Sequence, residues 1–160
     1  MATATVPDAQ KLLDKEAIKD LWYNSCYLVD DGDIDGVMEA FTEDATMDTG
    51  AFGSADGRDA IREVLESLFD EELLFTRHMV HNPLIQVDGD EATGQWYLDC
   101  PTITGEGEAI WLQGTYKHTF RRVDDTWKIS KFTFEATYAT PYDEGWAERP
   151  FLEGMPGELD

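Results

Sequence analysis

The chain has very little cysteine, few cations and no long apolar run. Its two cysteines, Cys26 and Cys100, are too few and too far apart for a disulfide framework or a zinc site, and both read as small buried side chains. Lysine and arginine number 12 against 34 aspartates and glutamates, a formal charge of −22. So acidic a surface repels phosphate backbones and anionic membranes, which excludes nucleic acid and the membrane surface as main partners. No stretch approaches transmembrane length. The N-terminus, Met1-Ala2-Thr3-Ala4-Thr5-Val6, lacks the basic region and apolar core of a signal peptide, so the expected location is cytoplasmic. Also missing are a Gly-rich phosphate loop, a dinucleotide fingerprint, a Cys/His metal spacing and a Gly-x-Ser-x-Gly elbow. No cofactor and no metal are implied. What remains is acid–base chemistry by side chains, or plain ligand binding.

What is present is a core. Hydrophobic residues make up 42% and aromatics 12% of 160 residues, enough for one domain spanning 1–160 and too short for two. Residues 1–7 read as a frayed start. A first helix is expected after Asp14 as N-cap, with Ile18, Leu21, Trp22, Ser25, Leu28 and Val29 on one stripe. Tyr23, Tyr27 and Asp30 lie on the adjacent stripe, and Gly32 ends the helix. Asp33 caps a second helix carrying Ile34, Val37, Met38 and Phe41. Residues 44–49 read as a short strand, 50–57 as a glycine-containing loop, and Arg58 to Asp70 as a third helix. Beyond it the period changes to two, giving strands over 73–87, 91–102, 108–123 and 126–138. Three helices followed by an antiparallel meander is an α+β order. A strongly curved sheet over the long helix buries both patterns. The tail 141–160 carries Tyr142, Trp146 and Phe151, so it is expected to dock on the pocket mouth or on a neighbouring subunit.

Two residues stand out for chemistry. Asp30 ends a mostly apolar helix, where the dipole and burial both push a carboxyl towards a higher pKa. It is either a proton acceptor or histidine partner, or simply part of the turn Asp30-Asp31-Gly32-Asp33. His78 lies in Phe75-Thr76-Arg77-His78-Met79-Val80-His81. Strand alternation sets it with Leu74 and Val80, and sets His81 with Arg77 and Met79. It is either a pocket base whose tautomer an aspartate fixes, or a hydrogen-bonded core histidine. Tyr23, Tyr27, Tyr97 and Tyr116 are candidate donors to an oxyanion, or packing. His118 reads as a pocket-rim or interface residue. Arg149 can grip an anionic group or form a surface salt bridge. Asp99 is the one candidate for a carboxylate base deeper in the sheet.

Several short segments, taken in order, resemble one family. They are Ala17-Ile18-Lys19-Asp20-Leu21, Val29-Asp30-Asp31-Gly32-Asp33, Phe41-Thr42-Glu43-Asp44-Ala45 and Gly57-Arg58-Asp59-Ala60-Ile61. Thr76-Arg77-His78 with Asn82-Pro83, Val87-Asp88-Gly89-Asp90-Glu91-Ala92, Gly114-Thr115-Tyr116 and Trp127-Lys128-Ile129-Ser130-Lys131 follow. Over about residues 12–140 the pattern resembles SnoaL-like proteins of the nuclear-transport-factor-2-like superfold. The resemblance implies a cone, a curved antiparallel sheet and three N-terminal helices enclosing a pocket, assembled as a homo-trimer or homo-dimer. The family holds cofactor-free dehydratases, a dehydrochlorinase, isomerases and polyketide cyclases, and the fold also serves as a binding or assembly module. In its dehydratase and dehydrochlorinase branch a helix-end aspartate and a strand histidine form the catalytic pair, positions matched by Asp30 and His78. The expectation is a dehydratase-type lyase acting on a small, mostly apolar ring compound. The chain departs from the branch where Ser25 replaces a lysine, where Phe132 replaces an arginine, and over Trp96 to Thr102, which lacks a second histidine. The tail Pro141-Tyr142-Asp143-Glu144-Gly145-Trp146 is similar to tails of bile-acid dehydratases.

Overall fold

The computed structural model describes residues 6–152. Met1–Thr5 and the tail beyond Leu152, and whatever the sequence suggested for them, lie outside the described residues. The first helix, α1, runs Val6–Asp30. It therefore passes straight through Asp14 instead of starting there. Asp14 is buried and accepts from Arg122 Nη2 at 2.9 Å, Gln10 Nε2 at 3.2 Å and Trp127 Nε1 at 3.3 Å. The residue is an anchor between helix and sheet, a role that spacing along one helix does not reveal.

Asp14, Ile18, Trp22, Ser25 and Cys26 are the buried stripe of α1, at the three- and four-residue spacing that keeps one face inward. Ser25 satisfies its hydroxyl by donating to Leu21 O at 2.8 Å, so a polar residue sits in the stripe without penalty. Gly32 takes φ 76° and closes the helix, with its N–H on Val29 O and that of Asp33 on Leu28 O. Helix α2, Ile34–Met38, follows at once, and Asp33 Oδ1 caps it through Gly36 N at 2.9 Å.

Strand β1, Phe41–Asp48, covers 44–48 of the expected 44–49 segment and starts three residues earlier, so Phe41 belongs to it instead of to α2. A 3₁₀ turn, Gly50–Phe52, and a short strand β2, Ser54–Asp56, fill what read as loop. Helix α3, Arg58–Ser67, ends in a π-helical turn, Leu68–Glu72. Then come β3 Leu73–Thr76, β4 Met79–Asp88, β5 Glu91–Thr104, β6 Ala109–Val123 and β7 Thr126–Pro141. The sheet order is β2-β1-β7-β6-β5-β3, with β4 also beside β5. The result is an α+β fold with three helices against one large, open, curved sheet. The sheet is mixed: β1 runs parallel to β7, and the other pairs are antiparallel.

Tight loops set the register. Asp124 and Asp125 both adopt positive φ between Val123 and Thr126, which pair across the β6–β7 hairpin, as a two-residue turn of matching twist requires. Bulges at Gln113/Gly114 and Thr119/Phe120 bend β6 against β7. On β5 the alternation is clean: Ala92, Gly94, Trp96, Leu98, Cys100 and Thr102 face inward. The core packs Trp96, Phe120, Leu98 and Ile129 of the sheet against Ile18 and Trp22 of α1, with Ile61 of α3 beside them.

The tail folds back on its own sheet. Ala139 N donates to Pro150 O at 3.0 Å, Phe151 bridges Ala139 in parallel, and Trp146 stacks on Tyr138 at 5.2 Å. It thus prolongs the sheet beside the part of β7 that β1 does not reach.

Candidate active site

The expected strand over 73–87 is broken at Arg77-His78, and the break builds the site. Thr76 pairs with Thr102 and Met79 with Asp99, so β3 and β4 share one register along β5. Between them the His78 backbone N–H leaves the ladder and donates to Asp30 Oδ2 at 2.9 Å. The Thr76 hydroxyl donates to Asp30 Oδ1 at 2.9 Å, and His78 Nδ1 lies 2.6 Å from the same oxygen. The last residue of α1 therefore replaces a strand partner and fixes the imidazole. The Asp30 side chain is 2% exposed and that of His78 12%. The exposed-turn reading of Asp30 fails.

Burial pushes the Asp30 carboxyl up, but the His78 ring, the His78 N–H and the Thr76 hydroxyl outweigh it and hold the pKa below the ordinary carboxylate value. This corrects the expected upward shift: helix end and burial both act, yet the donors gathered by the β3–β4 break win. An ionised carboxylate only accepts, so Nδ1 carries a proton and, in the neutral ring, Nε2 presents its lone pair.

His78 opens on a cavity with an empty volume of about 910 Å³, its mouth included. Aromatic rings dominate the wall: Trp22, Phe41, Phe52, Tyr116, Phe132 and Phe134. Cys26, one helical turn before Asp30, and Cys100 on β5 also line it. Burial raises both thiols, Cys100 to about 11, which leaves them protonated and inert. Four serine and threonine hydroxyls reach the wall, and each is already engaged. Ser25 donates to Leu21 O, Thr49 to Gly53 O, Thr76 to Asp30 and Thr102 to Cys100 O.

Of the tyrosines, Tyr116 alone lines the cavity. Burial raises its phenol well above the ordinary value, with smaller contributions from Cys26, Cys100 and Asp30. Tyr23 and Tyr27 each follow a buried residue, Trp22 and Cys26, and so sit about 100° further round the helix. Tyr23 packs at the core edge and Tyr27 is exposed. Tyr97 alternates with Trp96 and Leu98, so it stands on the outer face. Arg149 pairs with Glu144 in the tail at 3.3 Å and does not reach the cavity. Leu74, expected beside His78, is 65% exposed, because a register shift between Leu73 and Phe75 turns Leu73 inward instead. His81 and Asp99 meet at 3.4 Å on the outer face with the Asp99 side chain 51% exposed, so Asp99 is no internal base.

His118 is not at a rim. It is buried among aromatic rings, 4.4 Å from Trp22 and stacked 4.7 Å from Phe132. Its Nδ1 accepts from Thr133 N at 3.4 Å, and burial drives its pKa down to about 3. Thr76 was missed as a site residue. Its signal was present: it stands two positions before His78, on the same side of an extended segment. No helix among the described residues is long and apolar enough to cross a membrane. Among the described residues no group of three His, Cys, Asp or Glu is placed to hold a metal ion.

Residues 10–133 match the model of the SnoaL-like domain, and the chain belongs to that family. The uncharacterized protein Rv2910c of Mycobacterium tuberculosis is 28% identical over 122 residues, 74% of this chain and 82% of that protein. A protein of Novosphingobium aromaticivorans, provisionally named an aromatic ring hydroxylase, is 28% identical with a TM-score of 0.75, covering 81% of this chain and 94% of that one. Another from the same organism, provisionally named a scytalone dehydratase, is 24% identical with a TM-score of 0.76, covering 94% and 97%. A hexachlorocyclohexane dehydrochlorinase of type 2 is 22% identical with a TM-score of 0.79, covering 95% and 99%. These last two likenesses show the fold alone, three helices against a curved, open sheet.

Proposed function

We propose that the chain is a lyase that eliminates water, or a comparable leaving group, from a small, mostly apolar ring compound. The observation that carries this is the 2.6 Å contact between His78 Nδ1 and an ionised, buried Asp30 at the wall of an apolar cavity. In the proposed step His78 Nε2 takes a proton from a carbon next to an electron-withdrawing group. The C–H electrons form the new double bond as the leaving oxygen departs. The same imidazolium then returns the proton to that oxygen, releasing water. Asp30 holds the ring and stabilises its charged form. The names of two structural neighbours, a dehydratase and a dehydrochlorinase, are compatible with elimination. The exposed Met79 and Tyr97 on the outer face support a homo-dimer or homo-trimer, to be read by sedimentation.

The test is a panel of β-hydroxy cyclic ketones, followed for water loss by absorbance of the conjugated product. His78→Ala and Asp30→Asn should each lower kcat/KM by roughly 10²–10⁴-fold. Near-full turnover in either variant would end the mechanism. A second reading, a non-catalytic binding or assembly module, draws on the ring-hydroxylase name of one neighbour. It predicts tight ligand binding with no turnover. The isomerase reading loses its base, because Asp99 lies on the outer face.

A further inference from the structure

We infer that the cavity takes an uncharged ring compound carrying a hydrogen-bond acceptor, held by the Tyr116 hydroxyl, and that it turns away acids of the same shape. This rests on the reading of the cavity as the ligand site and adds the chemical class of the ligand.

Two observations carry it. The first is the count of free donors. Among the described residues no lysine, arginine, asparagine or glutamine lines the wall, and the four Ser and Thr hydroxyls there donate to protein acceptors. His78 offers a lone pair from Nε2, since its Nδ1 proton is spent on Asp30. Tyr116 is buried, lines the cavity, and its hydroxyl has no hydrogen-bond partner among the described residues. Beside it the indole N–H of Trp22, another wall residue, is buried and also without a partner, so the donors left over are neutral ones that suit an uncharged acceptor. Burial keeps the phenol protonated and so keeps it a donor.

The second observation is charge. An anion entering the cavity would lose its hydration and meet no cation among the described residues, a cost that neutral donors do not offset. It would also approach the ionised Asp30, in a chain of formal charge −22. The nearest cation to the pair, Arg77, lies 3.9 Å from Asp30 Oδ2 with a half-exposed side chain, and it is absent from the cavity wall. Arg149, the other candidate to grip an anion, is bound to Glu144.

The experiment is a fluorescence titration with two probes of one skeleton, neutral N-phenyl-1-naphthylamine and its sulfonate, 8-anilino-1-naphthalenesulfonate. It is run at 0.15 M and 1 M salt, since salt screens the surface charge but not the interior of the cavity. The neutral probe should bind at least about tenfold tighter at both salt concentrations. A smaller ratio at either overturns the inference, as does failure of the neutral probe to bind. In a second arm 1-benzoylnaphthalene and 1-benzylnaphthalene compete for the probe. Tyr116→Phe should weaken the ketone by about tenfold, the worth of one hydrogen bond, and the hydrocarbon by less than about twofold. Equal effects on both overturn the role of Tyr116. If that variant does not fold, the two-probe arm still decides the charge selection in the parent chain. Neither arm involves turnover, so these results stand or fall independently of the elimination test.

Discussion

Replacing Asp30 with asparagine separates what this carboxylate does for stability from what it does for the histidine. Its two oxygens accept from Thr76 Oγ1, His78 N and His78 Nδ1. An amide of the same shape has one oxygen and one NH₂. If the NH₂ faces the His78 N–H, two donors oppose each other. If it faces the imidazole, the ring must shift its proton to Nε2 so that Nδ1 can accept. The second arrangement is the less costly, since the Thr76 hydroxyl can rotate. The remaining loss is one charge-assisted hydrogen bond, about 2 kcal/mol, or a fall in Tm of about 4–8 °C for a chain of this size. The base loses more, because the lone pair at Nε2 is gone. Melts followed by circular dichroism at pH 7, with turnover on the same samples, should show a modest fall in Tm beside a loss of activity of several powers of ten. The pH dependence has a definite sign. The folded state holds the Asp30 carboxyl below its ordinary value of 3.8. Its contribution is therefore present above about pH 4 and is lost as the pH falls through the lower native value. The gap between parent and variant should close on that side while both remain folded. A variant that melts with the parent at pH 7, or a gap unchanged at pH 3, would refute the argument.

Three other perturbations test the frame around the site. Asp14→Ala leaves Arg122 and Trp127 without a buried acceptor and should cost about 3 kcal/mol, read from urea midpoints. His118 is neutral when folded, with its pKa pushed down to about 3, whereas the unfolded chain takes up a proton near 6.5. Stability should therefore fall by about 1.4 kcal/mol per pH unit below 6.5, or about 2 kcal/mol by pH 5, and His118→Phe should remove that slope from the melting curve. Gly114→Ala would drive a methyl group into the Phe134 ring and to 2.5 Å from Glu135 O. A loss of about 2–3 kcal/mol is expected from overpacking, measured by thermal melts.

Much of the fold was legible because local rules agreed with it. The α1 stripe, the Gly32 stop and the Asp33 cap follow from helix geometry and from groups within a few residues. The alternation on β5 and the two-residue turn at Asp124-Asp125 are equally local. Where the reading failed, a distant partner had intervened. Asp14 looks like a cap because its partners, Arg122 and Trp127, are more than a hundred residues away. Leu74 stands on the outer face, against strict alternation, because a register shift against β5 breaks the pattern. Residue type alone suggests Tyr97 and Arg149 for the site, but strand parity in one case and Glu144 in the other place them elsewhere.

The sequence by itself determined the local elements, the acidic surface and, through resemblance, a pairing of Asp30 with His78. Tertiary structure decided what that pairing is. Only the approach of the end of α1 to the gap between β3 and β4 gives Asp30 three donors, reverses the pKa shift expected from burial, and holds the His78 ring by its Nδ1 at the cavity wall. Helix and strand periodicities describe which way a side chain leaves its own element. A carboxylate's ionisation depends on the groups that other elements bring within about 3 Å of it, and those are set by the packing of the whole chain.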